Sequence, residues 1–504
     1  MTVGNGRIPI RERVLRPTLA ELWTFLAIAL PVLASLIAMM STVDLAYQLR
    51  AGAEILGGSG IPAVDSWTFT ASGLAWFDQQ WGAQVVLNQV YAVVGWTGLV
   101  ILRATLVGLI SGLILLAIRL RAPGMRPRTA ALMALAAFVV VSPALALRPQ
   151  LLAMALFTLT LALLAARRSH RRAIWSIPVI VVVWANLHGS FILAPALVGI
   201  ALIDGIGDRD VAGSTDTRAG ARQMLIVLVA TVAATAVTPF GWRVWEYALE
   251  IARNAKITAQ ISEWQPPRFT DVPGLLFWGS VALTTLAVVR LAMRERRVRP
   301  QALVAVIGFA LLGGLASRGV AWWPGVAVIT VAGLWSDGRL AESVVHAPAR
   351  AGSPLNVAVA TLLVLAGIAS LPVWRSVDPG TGAPDGVLIE APSGITSELR
   401  LIATREDNVW NPQVWGSWLE FAVPGPRYAL DSRIEVFPAQ VWSDSALVSS
   451  GEDGWSQVLD AREVTIVITD NGDPRLAARL RLSAGWAMAY ADDNGAIWVH
   501  LDRR

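Results

Sequence analysis

Apolar residues fill the first three quarters of the chain in long, nearly unbroken stretches, and polar residues gather in short clusters between them. A bilayer core takes about 20 apolar residues per helix, fewer where helix ends are satisfied inside a bundle. The pattern predicts spans near 22–43, 97–118, 129–147, 150–166, 173–187, 190–204, 223–240, 273–292, 302–317, 320–336 and 355–374, about eleven in all. The stretch 83–95 is too short and too polar for a span and is expected to lie on the surface as an amphipathic helix. No small-residue cleavage site follows a short apolar core near the start, so the first span is expected to be retained as an anchor. Beyond residue 374 the pattern changes. Residues 375–391, rich in Gly, Pro and Asp, read as a linker. Strand-like runs at 427–430, 464–469 and 496–501 then alternate with helical stretches near 412–422 and 474–483. Asp473 and Pro474 suit the N-cap and first position of the second of these helices. The expected architecture is an all-α polytopic membrane bundle over 22–374 with an α/β domain over 392–504.

Composition agrees: 55% of the 504 residues are hydrophobic and 15% charged, and the mean hydropathy is +0.55. The absence of cysteine excludes disulfides, thiolate metal sites and cysteine nucleophiles, and 4 histidines leave little for zinc. The basic residues are almost all arginine, with Lys256 the only lysine, and they are scattered between apolar runs. That is a topology signal and no nucleic-acid patch. With residues 1–21 in the cytoplasm, the inner segments carry 22 basic residues, including Arg7, Arg11, Arg13, Arg16, Arg121, Arg167, Arg168, Arg296, Arg297 and Arg299, and the outer ones far fewer. An odd number of spans then places the C-terminus outside. Residues 1–374 have a net charge of +13 and residues 375–504 of −8, so the two parts meet different surroundings.

The polar residues that this rule leaves unexplained are Asp44, Arg50, Asp65, Asp78, Arg103, Arg148, His188, Glu263 and Arg318, and all fall on the predicted outer side. Ionisable groups at membrane helix ends are costly and usually functional. Arginines grouped at one depth suit a phosphate or pyrophosphate, because the planar guanidinium matches its oxygens. A nearby carboxylate can take the proton from an attacking hydroxyl. Asp44 is the first candidate for that base, since it follows a helix end directly, whereas Asp65 and Asp78 lie on a loop, the first in a turn-like setting. Arg103, Arg148, Arg318 and His188 are candidates for the phosphate-bearing donor. Glu263 and Trp264, with Asp65, are candidates for the acceptor or its loop.

A first helix ending in an acidic residue leads into a long first outer loop, 44–96, with a Gly/Pro turn and an amphipathic helix. The second span then opens on Arg-Ala-Thr-Leu from Arg103. This resembles the glycosyltransferase C superfamily over roughly the first 200 residues. Arg148-Pro149, Trp-Ala-Asn-Leu-His-Gly (184–189), Pro-Phe-Gly-Trp (239–242), Ser-Glu-Trp (262–264), Ser317-Arg318, Trp-Gly-Ser-Trp (415–418) and Asp-Ser-Arg (431–433) are similar to a group of bacterial membrane proteins within it. The resemblance implies inverting hexosyl or pentosyl transfer from a polyprenyl-phosphate-linked sugar to a polysaccharide, lipid or protein acceptor of the cell envelope. It places the reaction on the outer side of the bacterial cytoplasmic membrane. Carried over by position, Asp44 is the base and Arg103 belongs to the donor site. Where many relatives have an acidic doublet, Asp44 stands between Val43 and Leu45, and the later loop reads Phe-Asp-Gln-Gln-Trp with Asp78 as a second catalytic candidate. No cofactor or metal-ligand set is assigned, and use of Mg or Mn stays open.

The C-terminal domain has seven tryptophans, of which Trp415 and Trp418 flank Gly416 and are candidates for stacking on a sugar. Two other readings remain: a transporter or flippase of lipid-linked saccharides, and a non-catalytic scaffold of envelope assembly. A transporter of this kind would show repeated halves and charges near the midplane. The sequence shows neither.

Overall fold

Helices stand at all eleven predicted apolar runs in the computed structural model, which describes residues 17–207, 215–253, 262–295, 299–337, 352–472 and 474–502. The expectations resting on Arg7, Arg11, Arg13, Arg16, Lys256, Arg296, Arg297 and the Asp473 cap lie outside these residues. The first elements are α1 (Leu19–Ile37), α2 (Leu45–Glu54), α3 (Trp81–Arg121), α4 (Pro127–Val141), α5 (Pro149–Ala166), α6 (Ile177–Leu187), α7 (Leu193–Gly207) and α8 (Thr215–Ala234). They are followed by α9 (Arg243–Arg253), α10 (Val272–Glu295), α11 (Pro300–Leu315), α12 (Trp323–Asp337) and α13 (Pro354–Ala369). Among the described residues, 6 helical segments are long and apolar enough to cross a membrane: Leu19–Ile37, Trp81–Arg121, Pro127–Ala144, Pro149–Ala166, Val272–Arg294 and Ser317–Ser336. The other predicted spans are shorter. α6, with 11 residues, reaches only about 16 Å.

The predicted amphipathic helix 83–95 is helical and runs into the second span. The two halves of α3 are separated at Gly95, whose φ of 65° and ψ of −156° break the helix; glycine tolerates that conformation because it lacks Cβ. α3 packs against α1, α2 and α5. In the bundle centre the Phe157 ring meets Trp184 at 6.2 Å, Phe309 at 5.9 Å and Trp322 at 5.1 Å.

Arg103 serves the fold and does not reach the donor site. Its guanidinium, buried within α3, donates to Ser35 O at 2.7 Å and Met39 O at 2.8 Å, and also to Ala38 O. Those carbonyls close α1 and have no partner within their own helix, so a permanent cation there completes the helix end.

Residues 375–391 are structured and do not form a free linker. Within them β2 (Leu388–Ile389) pairs in parallel with β1 (Met40–Ser41), and Asp378 accepts from Gly380 N at 2.9 Å and Ser393 Oγ at 2.5 Å. The C-terminal domain holds α14 (Ser393–Ile402), β3 (Asn408–Trp410), α15 (Gln413–Ala422), β4 (Arg427–Tyr428), α16 (Ala439–Ser450), α17 (Trp455–Ala461), β5 (Ile466–Asp470), α18 (Pro474–Leu482), β6 (Trp486–Ala491) and β7 (Gly495–His500). Its sheet runs β4-β3-β5-β7-β6, parallel through the first three strands and antiparallel through the last. The expected strands at 427–430, 464–469 and 496–501 are present, while β3 and β6 were not anticipated: β3 is 3 residues long and wholly buried, so it shows no alternation.

Trp415 and Trp418 are core residues, which corrects their assignment to sugar contact. Trp418 is fully buried, donates from Nε1 to Thr396 Oγ1 at 2.8 Å and packs on Trp96 of α3. Asp65 likewise belongs to a buried clamp and not to an acceptor site. Arg433 donates to Asp65 Oδ1 at 2.6 Å and Asp431 Oδ2 at 2.5 Å, with every side chain of this set closed to solvent. Its guanidinium lies 4.1 Å from the ring centre of Trp67 and 4.5 Å from that of Trp76. The clamp joins the loop between α2 and α3 to the C-terminal domain.

Candidate active site

Asp44 is placed by three neighbouring constraints. It is the N-cap of α2, the β1–β2 pairing holds the chain just before it, and Ser432 Oγ donates to Val43 O at 2.7 Å. Its side chain makes no capping bond. It turns instead to Arg148, whose Nη1 lies 3.1 Å from Asp44 Oδ2.

Arg148 is the N-cap of α5 with φ −136° and ψ 166°, and Pro149 at the first helical position accounts for that extended backbone. The same Nη1 donates to Glu263 Oε1 at 2.5 Å. Glu263 sits in the 3₁₀ turn Ser262–Trp264. Arg318 follows, with Nε 3.7 Å from Glu263 Oε2 and its guanidinium 5.2 Å from the ring centre of Trp264. The two loops are tied together, since Ser317 donates to Gln265 O from both N and Oγ at 2.9 Å. A Cβ on Gly274 would lie 1.7 Å from Arg268 O, so glycine lets the start of α10 press against this loop.

The structure therefore brings together Asp44, Arg148, Glu263, Trp264 and Arg318, drawn from four separate stretches of sequence. Arg148, Glu263 and Arg318 line a cleft of about 410 Å³ together with Pro267, Arg268 and Asp271. Burial would raise the Glu263 carboxyl, but Arg148 and Arg318 outweigh it and hold it below its ordinary range. His188, between α6 and the 3₁₀ turn Gly189–Ile192, stands nearby. Burial, helped by the charge of Arg318, lowers its pKa to about 3, so the ring is neutral at physiological pH. Nδ1 accepts from Ser190 N at 3.1 Å, which leaves Nε2 as the N–H donor. It can offer a hydrogen bond to a phosphate oxygen but no charge.

Among the described residues, His, Asp and Glu form no group of three that could hold a metal ion. Arg148 is the cation that stands between Asp44 and Glu263.

A second cavity, of about 530 Å³, opens between the first outer loop, Phe240, α9 and the C-terminal domain. The Phe77 ring lies 4.4 Å from Phe240 and 4.5 Å from Tyr247, and Glu246, Glu250 and Glu435 complete the wall. Burial pushes the hydroxyl of Tyr47, on α2, well above its ordinary value, and Asp44, Glu435 and Asp78 add to the rise. Sequence reasoning passed over Tyr47, Phe240, Tyr247 and Glu435. The Pro-Phe-Gly-Trp segment before a strongly amphipathic helix at 243–253 was the signal available.

Asp78, next in sequence to Phe77, is 3% exposed, with Oδ1 accepting from Gln84 Nε2 at 2.7 Å and no partner for Oδ2 among the described residues. Burial raises its pKa from 3.8 to about 7, against the opposing bond from Gln84. A folded-state pKa above the unfolded one means that the unfolded chain loses this proton first as pH rises. The Asp78 contribution to stability is thus expected to fall between pH 4 and pH 7. In thermal unfolding in detergent, Asp78→Asn should gain on the wild type steadily across that window; parallel curves would show that Asp78 ionises normally.

Known structures share this fold. The crystal structure of the Archaeoglobus fulgidus oligosaccharyltransferase in the apo form superposes with a TM-score of 0.53 at 12% identity, covering 96% of this chain and 74% of that one. The form tethered with an acceptor peptide containing the NVT sequon gives 0.52 at 13% identity, covering 96% and 74%. Archaeal oligosaccharyltransferase AglB from the same organism, in complex with an inhibitory peptide and a dolichol-phosphate, gives 0.52 at 12%, covering 96% and 73%. No protein-family model and no curated protein matches the chain. The protein thus shares its fold with these oligosaccharyltransferase structures: a bundle of apolar helices followed by a smaller domain.

Proposed function

We propose that this protein is a membrane glycosyltransferase, moving a hexosyl or pentosyl unit from a polyprenyl-phosphate-linked donor to an acceptor of the bacterial envelope, with inversion at the sugar. The observation that carries the proposal is the Asp44–Arg148–Glu263–Arg318 chain beside an open cleft, on a fold shared with an oligosaccharyltransferase. Donor phosphate takes the place of the Glu263 carboxylate between Arg148 and Arg318, since an anion already bridges them there. His188 adds a neutral N–H. The acceptor hydroxyl enters from the second cavity, lined by Phe77, Phe240, Tyr247 and Glu435. Asp44 takes its proton as the hydroxyl oxygen bonds to the sugar C1, and the C1–O bond to phosphate breaks with its electron pair going to the phosphate oxygen. The two arginines stabilise the charge left on polyprenyl phosphate. Burial of Asp78, with Oδ1 held by Gln84 Nε2, favours Asp44 as the base.

The eleven-span topology, with the N-terminus inside and the C-terminal domain outside, belongs to the same proposal and is supported by the distribution of arginine.

The test supplies radiolabelled polyprenyl-phosphate sugars to membranes containing the protein. Wild-type membranes should label an envelope product above empty membranes. Arg318→Ala should raise the KM for donor about tenfold or more, as expected for loss of a charged hydrogen bond. No label above empty membranes across the donor pool would sink the transferase reading.

A further inference from the structure

Beside the Arg433 clamp lies a carboxyl that none of its pairs accounts for. Glu420 of α15 is fully buried, and no donor among the described residues reaches either of its carboxyl oxygens. One turn earlier on the same helix face, a Cβ on Gly416 would lie 2.0 Å from Leu430 O, so glycine lets α15 press onto the chain after β4. That approach brings the Glu420 carboxyl within hydrogen-bonding reach of Asp431. Asp431, also fully buried, already accepts three bonds from Arg433: from N at 2.6 Å, Nε at 2.8 Å and Nη2 at 2.5 Å.

The donors around Glu420 are engaged elsewhere. Arg433 also serves Asp65. Arg50 of α2 pairs with Glu54 at 3.3 Å, and its Nη1 donates to the backbone O of Glu420 at 3.1 Å. Arg400 of α14 donates to Gly380 O and Ala422 O, and the Tyr428 phenol donates to Val423 O. Two carboxyls in contact within a closed space cannot both ionise without a large cost. A single proton resolves this, because a protonated carboxyl becomes a donor and its neighbour the acceptor. The proton belongs on Glu420, since the bonds from Arg433 stabilise the charged form of Asp431. Burial, and after it the charge of Asp431, accordingly raise the Glu420 pKa well above the ordinary carboxyl value. The contact also reaches the candidate base. Ser432 N donates to Ser417 Oγ of α15 at 3.2 Å, and Ser432 Oγ donates to Val43 O, just before Asp44.

We propose that Glu420 is a positioning residue: as a neutral acid it donates to Asp431, holds α15 against residues 430–433, and keeps Ser432 on the backbone that carries Asp44. Loss of the proton replaces this bond by repulsion between two buried carboxylates and loosens that support. The consequence for catalysis rests on the reading of Asp44 as the base of a transferase; the proton on Glu420 does not.

The test compares the full-length wild type with Glu420→Gln, whose amide N–H can donate to Asp431 at every pH. Infrared spectra at neutral pH should show a carboxylic-acid C=O band in the wild type that the variant lacks. A folded-state pKa above the ordinary 4.5 means that the stability carried by this proton is complete below pH 4.5 and is lost as pH rises through the folded value. In thermal unfolding in detergent the variant should therefore gain on the wild type as pH rises, by about tenfold in the folding equilibrium per pH unit inside that window. Amide exchange over residues 40–48, corrected for the intrinsic pH effect, should speed up with pH in the wild type and stay level in the variant. Transfer by the wild type should fall over the same range, with Glu420→Gln retaining its rate. Spectra without a differing band, or parallel unfolding curves, would show an ionised Glu420 and overturn the proposal. Exchange over 40–48 with the same pH dependence in both proteins would overturn the support of Asp44. None of these three readings needs sugar transfer, so their failure is distinct from failure of the transferase reading.

Discussion

Asp44→Asn is expected to lower sugar transfer by about a hundredfold or more while leaving the protein folded and donor binding nearly intact. The loss follows from the role of a general base, whose removal costs about 100- to 10,000-fold. The retained fold follows from the geometry. The Asp44 side chain caps nothing, its backbone is held through β1–β2 and the Ser432 bond to Val43 O, and Arg148 keeps Glu263 as a partner. Asparagine preserves the volume and one acceptor oxygen but cannot take a proton. The measurement is initial rate against donor concentration in membranes at equal expression, with unfolding temperature alongside. A fall in kcat at unchanged KM is the expected result. Equal rates in variant and wild type would remove Asp44 from the chemistry, and a rise in KM alone would make it part of donor binding.

Arg433→Met is expected to destabilise the joint between the C-terminal domain and the first outer loop by about 3–5 kcal/mol, the usual cost of removing one partner from a buried ion pair. Two buried carboxylates, Asp65 and Asp431, would be left facing no cation, and the stacking on Trp67 and Trp76 would be lost. Limited proteolysis near 392 and thermal unfolding in detergent read the effect. Replacing the whole set, with Asp65→Asn and Asp431→Asn added, should recover much of the loss, because uncharged groups no longer demand a counterion. Activity should fall too, since Ser432 beside Arg433 holds the backbone that carries Asp44. A loss below about 1 kcal/mol, the range of an exposed pair, would show that solvent reaches the clamp.

The fold class was legible because lipid imposes a simple rule on the chain: apolar runs of fixed length, with arginine kept to particular loops. Asp44, Arg148, Glu263 and Arg318, which the structure brings together, stood out in the sequence for a related reason, since charged residues at predicted helix ends are rare against such a background. The same signal overreached with Arg103 and Asp65. A charged group that completes a helix end or a buried clamp looks, in sequence, like one that meets substrate. Only neighbours distant in sequence, Ser35 and Met39 for the first and Arg433 for the second, separate the two cases. Trp415 and Trp418 failed for want of burial information, since sequence does not say which face of α15 turns inward.

By itself, then, the sequence determined that the protein is a bundle of apolar helices with a smaller mixed domain, and which charged residues stand at the ends of those helices. Tertiary structure decided which of them touch. That Arg148 bridges Asp44 and Glu263, that residues 375–391 form a strand beside β1, and that Phe77, Phe240 and Tyr247 wall a second cavity all depend on contacts across a hundred residues or more. The physical reason is that hydrophobic periodicity and charge bias act on each segment alone, whereas ion pairs and cavities arise from how segments pack, and local pattern does not encode that.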